Sequence, residues 1–160
     1  MTIEIIRTTG AHEHSIALRT AMDRETFGSY AAEFAAMDED TRSRASAALA
    51  TNQADLVEVL IALDDGFPVG HVALRALADG GYEVKKLYVA PEARGRGLSR
   101  ILMSAIEDVA REKGETRLLL QTGPKQVEAI ALYLSTGYEH VGEFGPYKGL
   151  ADMVYMEKAL

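Results

Sequence analysis

The spacing of apolar residues changes character several times along the chain, and each change marks an element. Residues 3–8 (IEIIRT) read as a short strand. From His12 to about Met37 the spacing is helical, and Phe27, Tyr30, Ala31, Phe34 and Ala35 form an apolar stripe. Gly28 predicts a break there, giving two helices. The cluster Asp38-Glu39-Asp40-Thr41 ends that run, with Thr41 as the expected N-cap of an alanine-rich helix to Ala50. The aromatic stripe carries no readable chemistry and is expected to be core, or one wall of a substrate pocket.

The middle of the chain is a meander. Leu56 to Leu63 is an apolar run broken at Glu58, and Asp64-Asp65-Gly66 is a hairpin signal. Phe67 to Leu77 is the next strand, with Gly70 marking a bulge. Asp79-Gly80-Gly81 makes a second turn into a strand at Tyr82–Val89. Pro91 ends that strand because it has no N–H for the ladder. At Leu98 the spacing becomes helical again, with Leu98, Ile101, Leu102, Ala105, Ile106 and Val109 on one face and Lys113-Gly114 as the stop. Arg117 to Gln121 follows as a short strand, so this strand–helix–strand unit should be parallel and right-handed. Residues 126–136 predict a helix with Val127, Ile130, Ala131 and Leu134 inward. Tyr138–Phe144 and Asp152–Lys158 close the chain as strands around Gly145-Pro146-Tyr147. The whole is α+β: a mixed, mostly antiparallel sheet with one parallel pair, expected to be a single domain over residues 1–160.

Composition narrows the chemistry. The chain has 24 acidic and 17 basic residues, a net charge of −7, so a nucleic-acid partner is not expected. It has no cysteine, which excludes disulfides, thiolate metal sites and a cysteine nucleophile. The four histidines have no metal-ligand spacing, so no metal is expected. MTIEIIRTTG is too short and too charged for a signal peptide, and no apolar run reaches membrane-spanning length. A cytoplasmic protein without membrane partners is the expectation.

Against the acidic background, Arg94-Gly95-Arg96-Gly97 is a local reversal of charge. It lies between a strand and a helix, where unpartnered first-turn N–H groups and the helix dipole favour an anion. Glycine lets the main chain approach a phosphate, and Arg94, Arg96 and Arg100 add full charges. The run Arg94-Gly95-Arg96-Gly97-Leu98-Ser99 resembles the acyl-CoA pyrophosphate motif of the GNAT N-acetyltransferases, R/Q-x-x-G-x-G/A, directly after the LYV-x-P strand end many members share. Ser99 departs from the usual Gly or Ala but is small. Ala129 to Tyr133 followed by Gly137-Tyr138 resembles the second signature, A-x-x-L-Y-x-x-x-G-F/Y. The match runs from about residue 56 to the C-terminus.

The resemblance implies a GNAT-like fold and acyl transfer from acetyl-CoA, as co-substrate, to the amine of a small molecule or peptide; relatives are commonly homodimers. An amine of reference pKa near 10.4 must lose a proton before it attacks. The carbonyl oxygen needs a fixed donor as charge develops, and the thiolate leaves with a proton. Glu83 stands where histone-acetylating members carry their catalytic glutamate. By the strand period of two, Glu83, Lys85 and Leu87 share one face, so Glu83 is the base, a partner of Lys85, or simply a solvated strand end. Leu87 would serve through its N–H as oxyanion donor, and Val89 through its main chain to the pantetheine arm. Tyr133 is by resemblance the general acid, and otherwise a core tyrosine. Gln126 stands where many relatives have an asparagine touching the cofactor. Arg94, Gly95, Arg96, Gly97, Ser99 and Arg100 would hold the diphosphate. Phe144–Tyr147 resembles a substrate-side loop, and is alternatively a rigid turn. A non-catalytic acyl-CoA-binding domain is the competing expectation. A Rossmann site fits poorly, since the turn lacks the G-x-G-x-x-G order.

Overall fold

In a computed structural model, residues 2–160 are described. The order is β1 (Ile3–Thr8), α1 (Glu13–Ala36), α2 (Glu39–Leu49), β2 (Leu56–Asp64), β3 (Phe67–Ala76), β4 (Tyr82–Val89), α3 (Leu98–Glu112), β5 (Arg117–Thr122), α4 (Val127–Ser135), β6 (Glu139–His140) and β7 (Val154–Ala159). Single 3-10 turns at Gln53–Asp55, Pro91–Ala93 and Gly145–Tyr147 join them. The sheet runs β1-β2-β3-β4-β5-β7-β6. Its pairs are antiparallel except β4 with β5.

The β2–β3 hairpin turns on Asp65 (φ 48°) and Gly66 (φ 88°), both left-handed, which matches the twist of the strands it joins. Alternation then sorts side chains to two faces. Leu60, Ala62, Val72, Leu74, Val84, Leu118, Leu120 and Met156 pack with Leu98, Leu102, Ile106 and Val109 of α3. Val59, Ile61 and Ala73 point the other way, onto Leu18 of α1. A third cluster joins Ala45 and Ala48 of α2 to Tyr147, Leu150 and Tyr155. Gly70 sits under α3, where a Cβ would come within 2.8 Å of Leu102 Cδ1, and the expected bulge lies beside it: the register passes from Ala62–Gly70 to Leu63–Pro68, leaving Val69 of β3 as the extra residue.

Several elements differ from the sequence expectation. Residues 13–36 form one uninterrupted helix: Gly28 faces open space, and its cost of about 1 kcal/mol is absorbed over the length of α1. The aromatic stripe is not core, for Phe27 is 73% exposed while Tyr30 and Phe34 are half-buried. Asp38, not Thr41, caps α2; its Oδ1 accepts from the Thr41 N–H at 2.9 Å. On α4 the inward residues are Ala129, Leu132 and Tyr133, with Val127 67% and Leu134 49% exposed. The strand expected over 138–144 is only Glu139–His140, at the sheet edge. Among the described residues no helix is long and apolar enough to cross a membrane.

Candidate active site

β4 is the strand on which the candidate site is built. It pairs with β5 only at Glu83–Leu119 and Val84–Leu120, and beyond that the two strands part. On its other side β4 carries a bulge: His71 of β3 stands opposite Tyr88, and Ala73 opposite Lys85, so one extra residue is inserted in β4. The inserted turn centres on Lys86, whose φ of 55° is left-handed. A bulge flips the parity of the strand. Before it, Val84 faces α3; after it, Leu87 and Val89 pack on that same face and Tyr88 joins the α1 cluster. Glu83 and Lys85 therefore do not share a face with Leu87, contrary to the period of two.

At the end of β4 the chain enters α3 through Gly95 (φ 75°) and Gly97 (φ 77°). Gly97 is the N-cap residue and no side chain caps the helix among the described residues. The first-turn amides of Leu98 and Ser99 have, by position, no acceptor inside the helix. A Cβ added at Gly95 or Gly97 would meet nothing within 4 Å, so the cradle is open to a ligand. The arginines are less free than their number suggests. Arg94 pairs with Glu25 of α1 at 2.8 Å and Arg96 with Asp64 at 2.7 Å. Arg100 donates to the neutral Ser135 hydroxyl of α4 at 2.7 Å and keeps its charge. The Arg94–Glu25 pair is about half-exposed on both sides and worth little, so an incoming anion could displace it.

On the α1 side of β4, Glu83 is fully buried in a network the sequence reading missed in part. Arg75 Nε and Nη2 donate to its Oε2 at 3.0 and 2.7 Å. The Tyr147 hydroxyl donates to its Oε1 at 2.5 Å. That hydroxyl in turn accepts from Lys85 Nζ and Arg75 Nη2, each at 2.9 Å. The last Arg75 donors reach the Ala48 and Ala50 carbonyls, each at 3.2 Å, closing α2 onto the site. Two cations and one carboxylate share this buried space. Burial pulls the Lys85 ammonium down to about 8, with the Glu83 charge opposing the shift. The Tyr147 hydroxyl is pushed up, first by burial and then by the Glu83 carboxylate. Arg75 gave no sequence signal because a lone arginine in a strand reads as a solvated side chain.

Tyr133 lies on the opposite side of the sheet, in the α3 core, with its ring edge-on to Tyr138 at 5.8 Å. Burial raises its hydroxyl pKa, so it stays protonated. Glu83 and Tyr133 are thus not neighbours on one face: Glu83 lies on the side of α1 and α2, and Tyr133 in the core under α3. Gln126 immediately precedes α4, its carbonyl accepting from the Ile130 N–H. Nearby, α1 closes over the β5–α4 loop: the Tyr30 hydroxyl accepts from the Lys125 N–H at 2.8 Å, and Lys125 pairs with Glu33. A side chain at Gly123 would overlap that Tyr30 hydroxyl. No group of three potential metal ligands is found among the described residues.

The family model of the Acetyltransferase (GNAT) family matches residues 16–138, and the chain belongs to this family of N-acetyltransferases. It is 43% identical over 105 residues, 65% of this chain and 69% of the other, to a protein of Azospirillum brasilense named IAA acetyltransferase. It is 42% identical over 59 residues to the N-acetyltransferase YjgM of Escherichia coli, covering 37% of this chain and 35% of that one. Among solved structures, a protein of Klebsiella pneumoniae described as a putative acyl-CoA N-acyltransferase superposes with a TM-score of 0.78 at 28% identity, over 99% of this chain and 98% of the other.

Proposed function

We propose that this enzyme moves an acetyl group from acetyl-CoA to a primary amine of a small molecule or peptide, by direct attack in a ternary complex. The observation that carries the proposal is the open, double left-handed glycine turn at the N-terminus of α3, placed at the end of a strand that has parted from its parallel neighbour. Bound acetyl-CoA would supply an activated thioester carbonyl and a thiol leaving group. The amides of Gly95, Gly97 and Ser99, with Arg94, Arg96 and Arg100, hold its diphosphate. Val89 and Gln126 bind the pantetheine arm through main-chain and amide groups. The Leu87 N–H donates to the carbonyl oxygen as charge develops there.

Proton movement divides between the two faces. Glu83 takes the proton of the amine at its Oε1, the oxygen that the Tyr147 hydroxyl now holds. Tyr133, buried and protonated, returns a proton to the sulfur from the α3 side. A second reading of Glu83 has its own support. Arg75 and Tyr147 already occupy both carboxylate oxygens, as they would if Glu83 were only the anchor of the network. The two readings separate in the kcat and Tm of Glu83→Gln. The reaction itself is tested by thiol release from acetyl-CoA across a panel of amines. An amine-dependent rate that falls in Tyr133→Phe supports the proposal; tight CoA binding with no amine acetylated, and no effect of Tyr133→Phe, refutes it.

A further inference from the structure

His71 is fully buried on β3 and takes no part in the chemistry above, yet both its ring nitrogens are engaged. Nδ1 lies 2.8 Å from the carbonyl oxygen of Lys86, and Nε2 lies 3.0 Å from Ser15 Oγ in the first turn of α1. A carbonyl only accepts, so Nδ1 carries the hydrogen. Burial holds the ring neutral, with a pKa pulled down to about 4, so Nε2 has a lone pair and accepts from the Ser15 hydroxyl. The tautomer is therefore set by the Lys86 carbonyl of β4, and the Ser15 hydroxyl of α1 completes it by donating to Nε2.

The carbonyl that His71 holds is that of the bulge residue. Its C=O and the Leu87 N–H belong to one planar trans peptide and point in opposite directions. Fixing the carbonyl toward β3 aims the Leu87 N–H away from β3, toward the side on which β4 and β5 have parted. Hydrogen bonds in a chain polarise one another, so the bond accepted by the carbonyl also makes that N–H a stronger donor. A left-handed lysine needs such outside support, because this conformation is unfavourable for a residue with a side chain. The same residue is fastened to α1 a second time, by Lys86 Nζ donating to Asp23 at 2.6 Å.

We infer that His71 is a positioning residue for acyl transfer: with Ser15 behind it, it clamps the Lys86–Leu87 peptide so that the Leu87 N–H is aimed at the thioester carbonyl. The inference rests on the proposed role of the Leu87 N–H as that donor. The test is the infrared carbonyl stretch of carbonyl-labelled acetyl-CoA bound to the enzyme, with kcat, KM and the unfolding midpoint measured alongside. In the unaltered enzyme the stretch should move to lower frequency than in free acetyl-CoA. His71→Leu should lose most of that shift and about ten- to a hundredfold in kcat, with KM for acetyl-CoA nearly unchanged. His71→Asn, whose amide N–H can stand near the Nδ1 position, should restore much of both. Ser15→Ala should lose part of the shift, and this variant with His71→Asn carries the test if His71→Leu does not fold.

A full shift and full kcat in His71→Leu would overturn the inference, as would an unchanged shift in Ser15→Ala or an Asn variant no better than Leu. If the unaltered enzyme acetylates amines but shows no shift at all, the Leu87 donor itself is wrong. That result is distinguishable from failure of His71 alone.

Discussion

Gly97 offers the sharpest separation of ligand binding from folding. It caps α3 with φ 77° and ψ 7°, and a Cβ there meets nothing within 4 Å. The Cβ of Gly97→Val therefore meets no atom of the protein, and the main cost to the fold is the left-handed backbone, about 1–2 kcal/mol. At this chain length that lowers Tm by roughly 2–8 °C. The cost to the ligand is different in kind, because the side chain projects where a diphosphate would meet the amides. Losing a charge-assisted contact of about 1.5–3 kcal/mol weakens binding about ten- to a hundredfold. Gly80, in the β3–β4 turn, is a matched control: it too is left-handed (φ 93°) with open space around it. Calorimetric titration with CoA and with pantetheine, which lacks the diphosphate, reads the outcome. Gly97→Val should lose CoA affinity but keep pantetheine affinity, and Gly80→Val should match it in Tm while binding CoA normally. Unchanged CoA affinity in Gly97→Val, or equal loss of both ligands, would refute the phosphate cradle.

Further expectations concern the buried groups. Arg75→Met leaves Glu83 buried without its main partner and should cost about 3–5 kcal/mol, a Tm fall of about 10 °C by calorimetry. Glu83→Gln should lower kcat about a hundredfold; if kcat is retained while Tm falls, Glu83 is an anchor and not the base. His71, its pKa lowered to about 4, makes the unfolded chain bind more protons between about pH 4 and 6.5. Stability present above that window should thus fall by about 3 kcal/mol as pH drops through it, and denaturant titrations of His71→Asn should show a flatter profile. Glu58, held near 2 by Arg7 and Lys113, loses its contribution chiefly below pH 4.5, so the two effects overlap little. Lys85, lowered to about 8 by burial, gives the opposite edge: the native state sheds its proton first, so stability should rise from about pH 8 toward 10, and Lys85→Met should abolish that rise.

The parts of the site legible in the sequence were those encoded locally. Glycines, a proline and a change of spacing within Glu83–Gly114 mark strand, turn and helix, and the structure has each of them in that order. The bulge was not legible, because a left-handed lysine leaves no mark in the sequence, and missing it put Leu87 on the wrong face. The inward face of α4 was misplaced because apolar residues cover both sides of that helix; Tyr133 and Leu132, rather than Val127 and Leu134, face the core. Glu83 was singled out from its position, but its partners Arg75 and Tyr147 come from β3 and the turn before β7, segments that only the folded chain brings together. His71 left no signal in the sequence for the same reason: its meaning lies in Ser15 and the Lys86 carbonyl, 56 and 15 residues away.

Direct transfer between two bound substrates is the central claim, and initial-velocity kinetics with isotope-labelled acetyl-CoA test it most directly. At several fixed amine concentrations the double-reciprocal lines should intersect, and mass spectrometry should find the label on the amine and none on the protein. Parallel lines with label held covalently on the enzyme would contradict the account.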